Sequence, residues 1–254
     1  DGSAKVYFCG NSLGLQPKRV RAYLEAQLSS WQDRAVEGHF EGTDPWFYFH
    51  KPATPVLQEL VGARYHEVVA MNNLTVNLHL MMVSFYQPTP VRYKILIEAG
   101  AFPSDQYAVE SQVRYHGFDP DEAIIAVSPR EGEYTLRNED VIETITQHRH
   151  DLALVMLPGV QFYSGQFLDM AAITQAAHEI GAYAGFDLAH AIGNVPMRLH
   201  DWDVDFAAWC TYKYLNSSPG GIGGVFIHER YAEADLPRFA GWWGHKEEAR
   251  FAMD

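Results

Sequence analysis

Short apolar runs recur along the chain at residues 68–71, 93–98, 123–127, 151–157, 182–186, 206–210 and 224–228. Most are separated by segments whose apolar residues fall three and four apart, the spacing of one helix face. That alternation points to an α/β fold: a mostly parallel, seven-stranded sheet flanked by helices on both faces. The run at 151–157 is apolar at nearly every position, as a strand buried on both faces requires. The spacing predicts a helix over 17–31, with Val20, Leu24, Leu28 and Trp31 on one side, and a short helix over 55–62 closed by Gly62. Further helices are expected from Leu74, over 105–116, from Asn138 as N-cap with Val141, Ile142 and Ile145 inward, and from Asp169 as N-cap to Gly181.

Residues 1–50 are less regular and read as an N-terminal arm and helix at the active-site entrance, part of a smaller domain. Residues 51–254 read as the cofactor-binding large domain. The charge is −13, from 19 Lys and Arg against 32 Asp and Glu, which argues against a protein that tracks nucleic-acid phosphates. No apolar run approaches the roughly 20 residues of a membrane-spanning helix. Cys9 and Cys210 are too few for a disulfide framework or a Cys-rich metal site and fit a reducing cytoplasm. The chain begins Asp1-Gly2-Ser3 and stops at Phe251-Ala252-Met253-Asp254, so a trimmed chain is expected.

Ligands of open α/β sheets sit beyond the carboxyl ends of the strands. One such end delivers Asp187-Leu188-Ala189-His190, another Thr211-Tyr212-Lys213-Tyr214, and a third Ala101-Phe102-Pro103-Ser104-Asp105. Together they suit a cofactor with an electrophilic carbonyl, a basic ring nitrogen and a phosphate, as in pyridoxal 5′-phosphate. Lys213 supplies the amine for a Schiff base, Asp187 an anion for a pyridinium, Phe102 a stacking ring, and the helix start at Leu74 and Thr75 phosphate donors. Each feature also has a plain structural reading. Lys213 is compatible with a surface lysine, Asp105 with an N-cap, Phe102 with a core residue and His190 with a satisfied interior histidine. No metal is expected. Asp187, His190, His200, Asp201, Asp203 and Asp205 lack a convergent ligand set, and the alternation through 201, 203 and 205 reads as one solvated strand face.

Across essentially its whole length the chain resembles the kynureninases, pyridoxal-phosphate enzymes of the aspartate aminotransferase fold (fold type I). The resemblance is carried by Tyr7-Phe8-Cys9-Gly10-Asn11-Ser12-Leu13-Gly14-Leu15, Met71-Asn72-Asn73-Leu74-Thr75-Val76-Asn77-Leu78-His79, Phe102-Pro103-Ser104-Asp105, Gly185-Phe186-Asp187-Leu188-Ala189-His190-Ala191, Tyr212-Lys213-Tyr214-Leu215-Asn216 and Gly241-Trp242-Trp243-Gly244-His245. It implies that Lys213 is the Schiff-base lysine, Asp187 the partner of the pyridine nitrogen and His190 a neighbour of the phenolic oxygen. Phe102 and Asp105 would contact the cofactor, and Leu74 and Thr75 its phosphate. Tyr212 would contact the phosphate and join Lys213 in proton transfer. Trp242 would reach the cofactor of a partner subunit in a homodimer with shared active sites, and His39 would meet the substrate ring.

The implied reaction is hydrolysis of L-kynurenine, or 3-hydroxy-L-kynurenine, to anthranilate or 3-hydroxyanthranilate and L-alanine, in tryptophan catabolism towards NAD biosynthesis. Pro158 departs from the small polar residue often found there and offers only a carbonyl. The family's small C-terminal domain, with an arginine for the substrate carboxylate and an asparagine near its ring, would follow Asp254. Two alternatives stand beside this one. One is another fold type I reaction, such as transamination or cysteine desulfuration. The other is a catalytically silent, truncated cofactor domain.

Overall fold

The computed structural model describes residues 2–252; Asp1, Met253 and Asp254, part of the terminal sequence noted above, lie outside the described residues. The seven expected strands all form: β1 (Val68–Ala70), β2 (Lys94–Glu98), β3 (Ile124–Val127), β4 (Leu152–Pro158), β5 (Tyr183–Asp187), β6 (Phe206–Trp209) and β7 (Gly224–Ile227). They make one sheet in the order β1-β7-β6-β5-β4-β2-β3. The pairs from β3 to β6 are parallel, whereas β7 runs antiparallel to both β6 and β1.

Register decides what each edge of the sheet carries. Pro158 pairs with Asp187, and Asp187 with Ala208, so the carboxyl ends of β4, β5 and β6 lie level. Trp209 and Ala70 both pair with Gly224, which brings the end of β1 to the same edge. At the opposite edge Val68 pairs with Phe226 and Phe206 with Ile227. Side chains alternate across the pleat, so β4 feeds two cores. Val155 and Leu157 join Phe186 and Ile173 on one face, while Leu154 and Met156 join Phe85 and Phe206 on the other. Between β5 and β6 the backbone tolerates no side chain: a Cβ on Gly185 would lie 2.0 Å from the Phe206 ring.

The helices are α1 (Val20–Arg34), α2 (Thr54–Val61), α3 (Leu74–Phe85), α4 (Pro103–Tyr115), a single turn α5 (Pro120–Ala123), α6 (Asn138–Gln147) and α7 (Met170–Glu179). Asp169 caps α7 as its spacing predicts, accepting from the Ala172 amide at 3.1 Å. Four expectations need correction. Asn138 is the first residue of α6 rather than its cap, and its Oδ1 has no partner. Asp105 is the third residue of α4; the helix begins two residues earlier, where Pro103 needs no donor and already has helical φ. The first helix spans Val20–Arg34 rather than 17–31, and Leu24, Leu28 and Trp31 on its apolar side are 60–66% exposed. Residues 201–205 form turns, not a strand, and Asp205 is fully buried.

Asp205 ties the sheet to its surroundings. It accepts from the Ala184 amide, the Tyr231 hydroxyl at 2.5 Å and Arg230 at 2.7 Å, and it pairs with His178 at 3.0 Å. Burial pushes its carboxyl up, but these donors more than offset that and hold it below the usual aspartate range. A carboxylate held low stabilises the fold above its unfolded pKa, and that contribution is lost as pH falls through the folded value. Asp205→Ala leaves Arg230 and Tyr231 without their buried acceptor and is expected to cost about 3 kcal/mol in urea unfolding at neutral pH. The deficit should shrink in acid; a variant as stable as wild type would remove Asp205 from this role.

Candidate active site

At the carboxyl edge of the sheet, a cavity of about 150 Å³ is lined by the strand-end and helix-start residues singled out above. Lys213, Asp187, His190, Tyr212, Phe102, Asp105, Leu74 and Thr75 all border it, drawn from four separate segments. A larger surface cavity of about 760 Å³ lies beside α7 and gathers Asp169, His178, Glu179, Asp201 and Asp203, but no nucleophile. The smaller one brings a lysine together with two aspartates and a histidine.

Lys213 sits in a turn after β6 and is only 8% exposed. Ser217 donates its amide to the Thr211 carbonyl at 3.1 Å, and the Thr211 hydroxyl bonds the Ile222 carbonyl, which closes the turn. The segment around Gly14 packs against it from outside: the Gly14 amide donates to the Tyr212 carbonyl at 2.8 Å. A Cβ at Gly14 would stand 2.2 Å from the Lys213 carbonyl oxygen, so the arm can lie this close only with glycine there. Inside the cavity Lys213 Nζ donates to His190 Nε2 at 2.8 Å. Burial, then the lysine charge, pushes the His190 imidazole down to about 4, so it is a neutral acceptor. The Phe102 ring centroid lies 5.6 Å from Nζ, and Phe162 stands edge-on to Phe102 at 5.3 Å.

Asp187 ends β5, and its Oδ1 accepts from the Ala189 amide at 2.7 Å, which turns the chain back towards His190. Asp105 comes from the first turn of α4 and hydrogen-bonds the Asp187 carboxylate. Two buried carboxyls in contact cannot both ionise. Burial raises both. Asp105 is pushed up to about 10 and keeps the shared proton, donating it to Asp187. Asp105 Oδ1 has no hydrogen-bond partner among the described residues. An anionic pair with an orphaned buried acceptor is suited to a ligand that brings a positive N–H group.

The other end of the cavity is built for an anion. Asn73 caps α3 by accepting from the Val76 amide at 3.0 Å, which leaves the Leu74 and Thr75 amides without helical partners. Thr75 Oγ1 meets Ser104 Oγ at 3.0 Å, so the first turns of α3 and α4 converge. Amides, hydroxyls and two helix dipoles then favour the same negative group. Tyr212 pairs with the Cys210 thiol, and burial pushes its phenol up to about 12.

Two expected site residues lie elsewhere in the chain. His39 is exposed in a surface groove with Leu24, Leu28 and Trp31, its ring edge-on to Trp46 at 5.4 Å. Trp242 is half-exposed and donates Nε1–H to the Arg250 carbonyl at 2.7 Å. Neither lines the Lys213 cavity. The structure adds Glu98 and Phe162. Glu98 is buried at the end of β2, and burial pushes its carboxyl up to about 7 against a bond from Gln161 that lowers it. A charged residue ending an apolar run is the signal that marks it; nothing local marks Phe162.

A family model described as aminotransferase class-V matches residues 16–241. The chain is 58% identical over 254 residues to a protein named kynureninase from Myxococcus xanthus, covering all of this chain and 60% of that protein. Kynureninases from Nematostella vectensis and Rattus norvegicus are 57% and 52% identical over 249 residues, which is 98% of this chain and 54% of theirs. The chain therefore spans between half and two thirds of the length of these curated relatives. In fold it is similar to a cystine C–S lyase solved with cysteine persulfide, with a TM-score of 0.75 at 17% identity over 93% of this chain and 60% of that one. A cysteine desulfurase from Thermococcus onnurineus superposes with a TM-score of 0.69 at 19% identity, over 93% of this chain and 56% of the other.

Proposed function

The chain belongs to the class-V aminotransferase family, and on that premise we propose that it is the cofactor-binding part of a kynureninase, a hydrolase acting on the carbon–carbon bond of L-kynurenine or its 3-hydroxy derivative. The observation that carries this reading is the 58% identity across the whole chain to a kynureninase, and the lysine-and-carboxylate cavity agrees with it.

Pyridoxal 5′-phosphate, when bound, supplies an electrophilic carbonyl for amines and a ring that accepts electrons from the substrate Cα. Lys213 is the amine for that carbonyl, since its Nζ is buried beside a neutral His190. Asp187 would hold positive charge at the ring nitrogen, with Asp105 keeping the pair singly ionised. Leu74, Thr75 and Ser104 would hold the phosphate, and Phe102 would cover a ring face. Tyr212, whose phenol burial keeps protonated at neutral pH, would be placed to hold a proton, and the Lys213 amine would be the base for the Cα proton. Cleavage between Cβ and Cγ after water adds to the γ-carbonyl gives anthranilate and L-alanine.

The outlying residues fit a homodimer in which Trp242 reaches the partner's cofactor and His39 meets the substrate ring. Residues 1–50 then act as an arm and 51–254 as the large domain of a cytoplasmic enzyme. Among the described residues no helix is long and apolar enough to cross a membrane. Desulfuration is disfavoured: Cys210 is buried with its thiol pushed up, the reverse of an activated nucleophile, and Cys9 does not line the cavity.

The test is anthranilate release from kynurenine by the full-length, cofactor-loaded protein. Turnover is expected with either substrate, and His39→Phe should shift preference away from the 3-hydroxylated one, because an imidazole can hydrogen-bond a phenol. Amino transfer to pyruvate without anthranilate would overturn the reading, and an unchanged substrate ratio would remove His39 from it.

A further inference from the structure

At the edge of the sheet opposite the Lys213 cavity, two histidines and a carboxylate converge. Glu67, just before β1, is 4% exposed; His228, just after β7, is 7% exposed; His200 comes from the turn before β6. One ligand atom from each lies within 4.8 Å of the others. Glu67 Oε1 is 2.9 Å from His200 Nδ1 and 3.9 Å from His228 Nδ1.

His228 also caps the short 3-10 turn Glu229–Tyr231 that follows β7. Its Nδ1 accepts from the Arg230 amide at 3.1 Å, so the ring proton sits on Nε2, 3.3 Å from Asp203 Oδ1. That Nδ1 lone pair faces the Arg230 amide, with Glu67 Oε1 3.9 Å from the same nitrogen. A carboxylate on the far ring nitrogen is also how metal-binding histidines are oriented. Zinc bonds of about 2.0–2.1 Å at tetrahedral angles set ligand atoms about 3.3 Å apart, and the two separations to Glu67 bracket that value. Charge points the same way. Glu67, Asp203, Asp205 and Glu229 outnumber Arg64 and Arg230 by two, the charge of one divalent cation.

We propose that Glu67 Oε1, His200 Nδ1 and His228 Nδ1 form a site for a divalent transition metal of zinc-like ligand preference, with water as the fourth ligand. The metal clamps the β1–β7 edge to the turn that leads into β6. Binding moves the His200 proton from Nδ1 to Nε2, and the Arg230 amide gives up its bond to His228. The two rings are stacked nearly parallel, at 19° with centroids 4.8 Å apart, so one ring must turn for both to face a single ion.

The full-length holoenzyme, stripped with a chelator, is titrated with Zn²⁺ by calorimetry and followed by thermal unfolding. One equivalent should bind, and Tm should rise by about 5 °C at hundredfold excess over Kd. Co²⁺ should give the intense visible bands of a four-coordinate site. His200→Asn keeps a donor for Glu67 but removes the imidazole, and should abolish both effects while the chelated wild type keeps its activity. No binding by wild type, a six-coordinate cobalt spectrum, or undiminished stoichiometry in His200→Asn would each overturn the site.

Discussion

Lys213→Ala is expected to lower kcat by at least about 10³-fold and to abolish the yellow colour of a lysine-bound pyridoxal cofactor. Lys213 carries the only side-chain amine among the residues lining the cavity, so no neighbour can take over the carbonyl or the Cα proton. Its burial beside a neutral imidazole gives it a position that bulk amine cannot reproduce. Lys213→Arg separates the two roles, because it retains the positive charge near Phe102 but cannot form the Schiff base. Both variants should fall together in single-turnover anthranilate release. Activity of either within tenfold of wild type would remove Lys213 from the chemistry.

The second large effect concerns Asp187, where activity and stability should move in opposite directions. Asp187→Asn keeps an acceptor for the Ala189 amide and for the Asp105 proton but cannot neutralise a pyridinium, so kcat should drop by about 10²–10³-fold. The wild-type carboxyl is raised by burial, and its partner Asp105 is pushed up to about 10. For a group raised on folding, stability is fully present below the unfolded value near 4 and declines as pH rises towards the folded one. The cofactor-free wild type should therefore lose stability between about pH 4 and neutrality. The variant, with one fewer acid to deprotonate, should lose less and melt higher at pH 7, by an amount of the order of 1 kcal/mol. Equal melting curves across that range would show that the pair carries no such strain.

Much of this was open to inspection in the linear chain. Strand positions followed from runs such as 151–157, whose apolar content allows no exposed face. The cavity residues followed from their place immediately after those runs, which is why Asp187, His190, Tyr212 and Lys213 could be grouped before any distance was known. Local errors had local causes. Asp105 was read as a cap because aspartate favours that position, yet Pro103 starts the helix earlier and leaves Asp105 free to face Asp187. The alternation at 201–205 resembled a strand, but Asp203 turns the chain with φ of +58° and Asp205 is drawn inward by its donors.

Sequence periodicity and the residues at strand ends thus determined the sheet and which residues gather at its carboxyl edge, because those depend on short-range pattern and on a general rule of parallel sheets. Three matters were decided by tertiary structure alone. Sharing of one proton between Asp105 and Asp187 depends on burial and contact between segments more than 80 residues apart, which no spacing rule reports. The neutrality of His190 depends on a lysine 23 residues away. The meeting of Glu67, His200 and His228 depends on the antiparallel pairing of β1 with β7, which joins chain positions about 160 residues apart at one edge of the sheet. Charge and proton placement follow distance in space, and the linear pattern carries only distance along the chain.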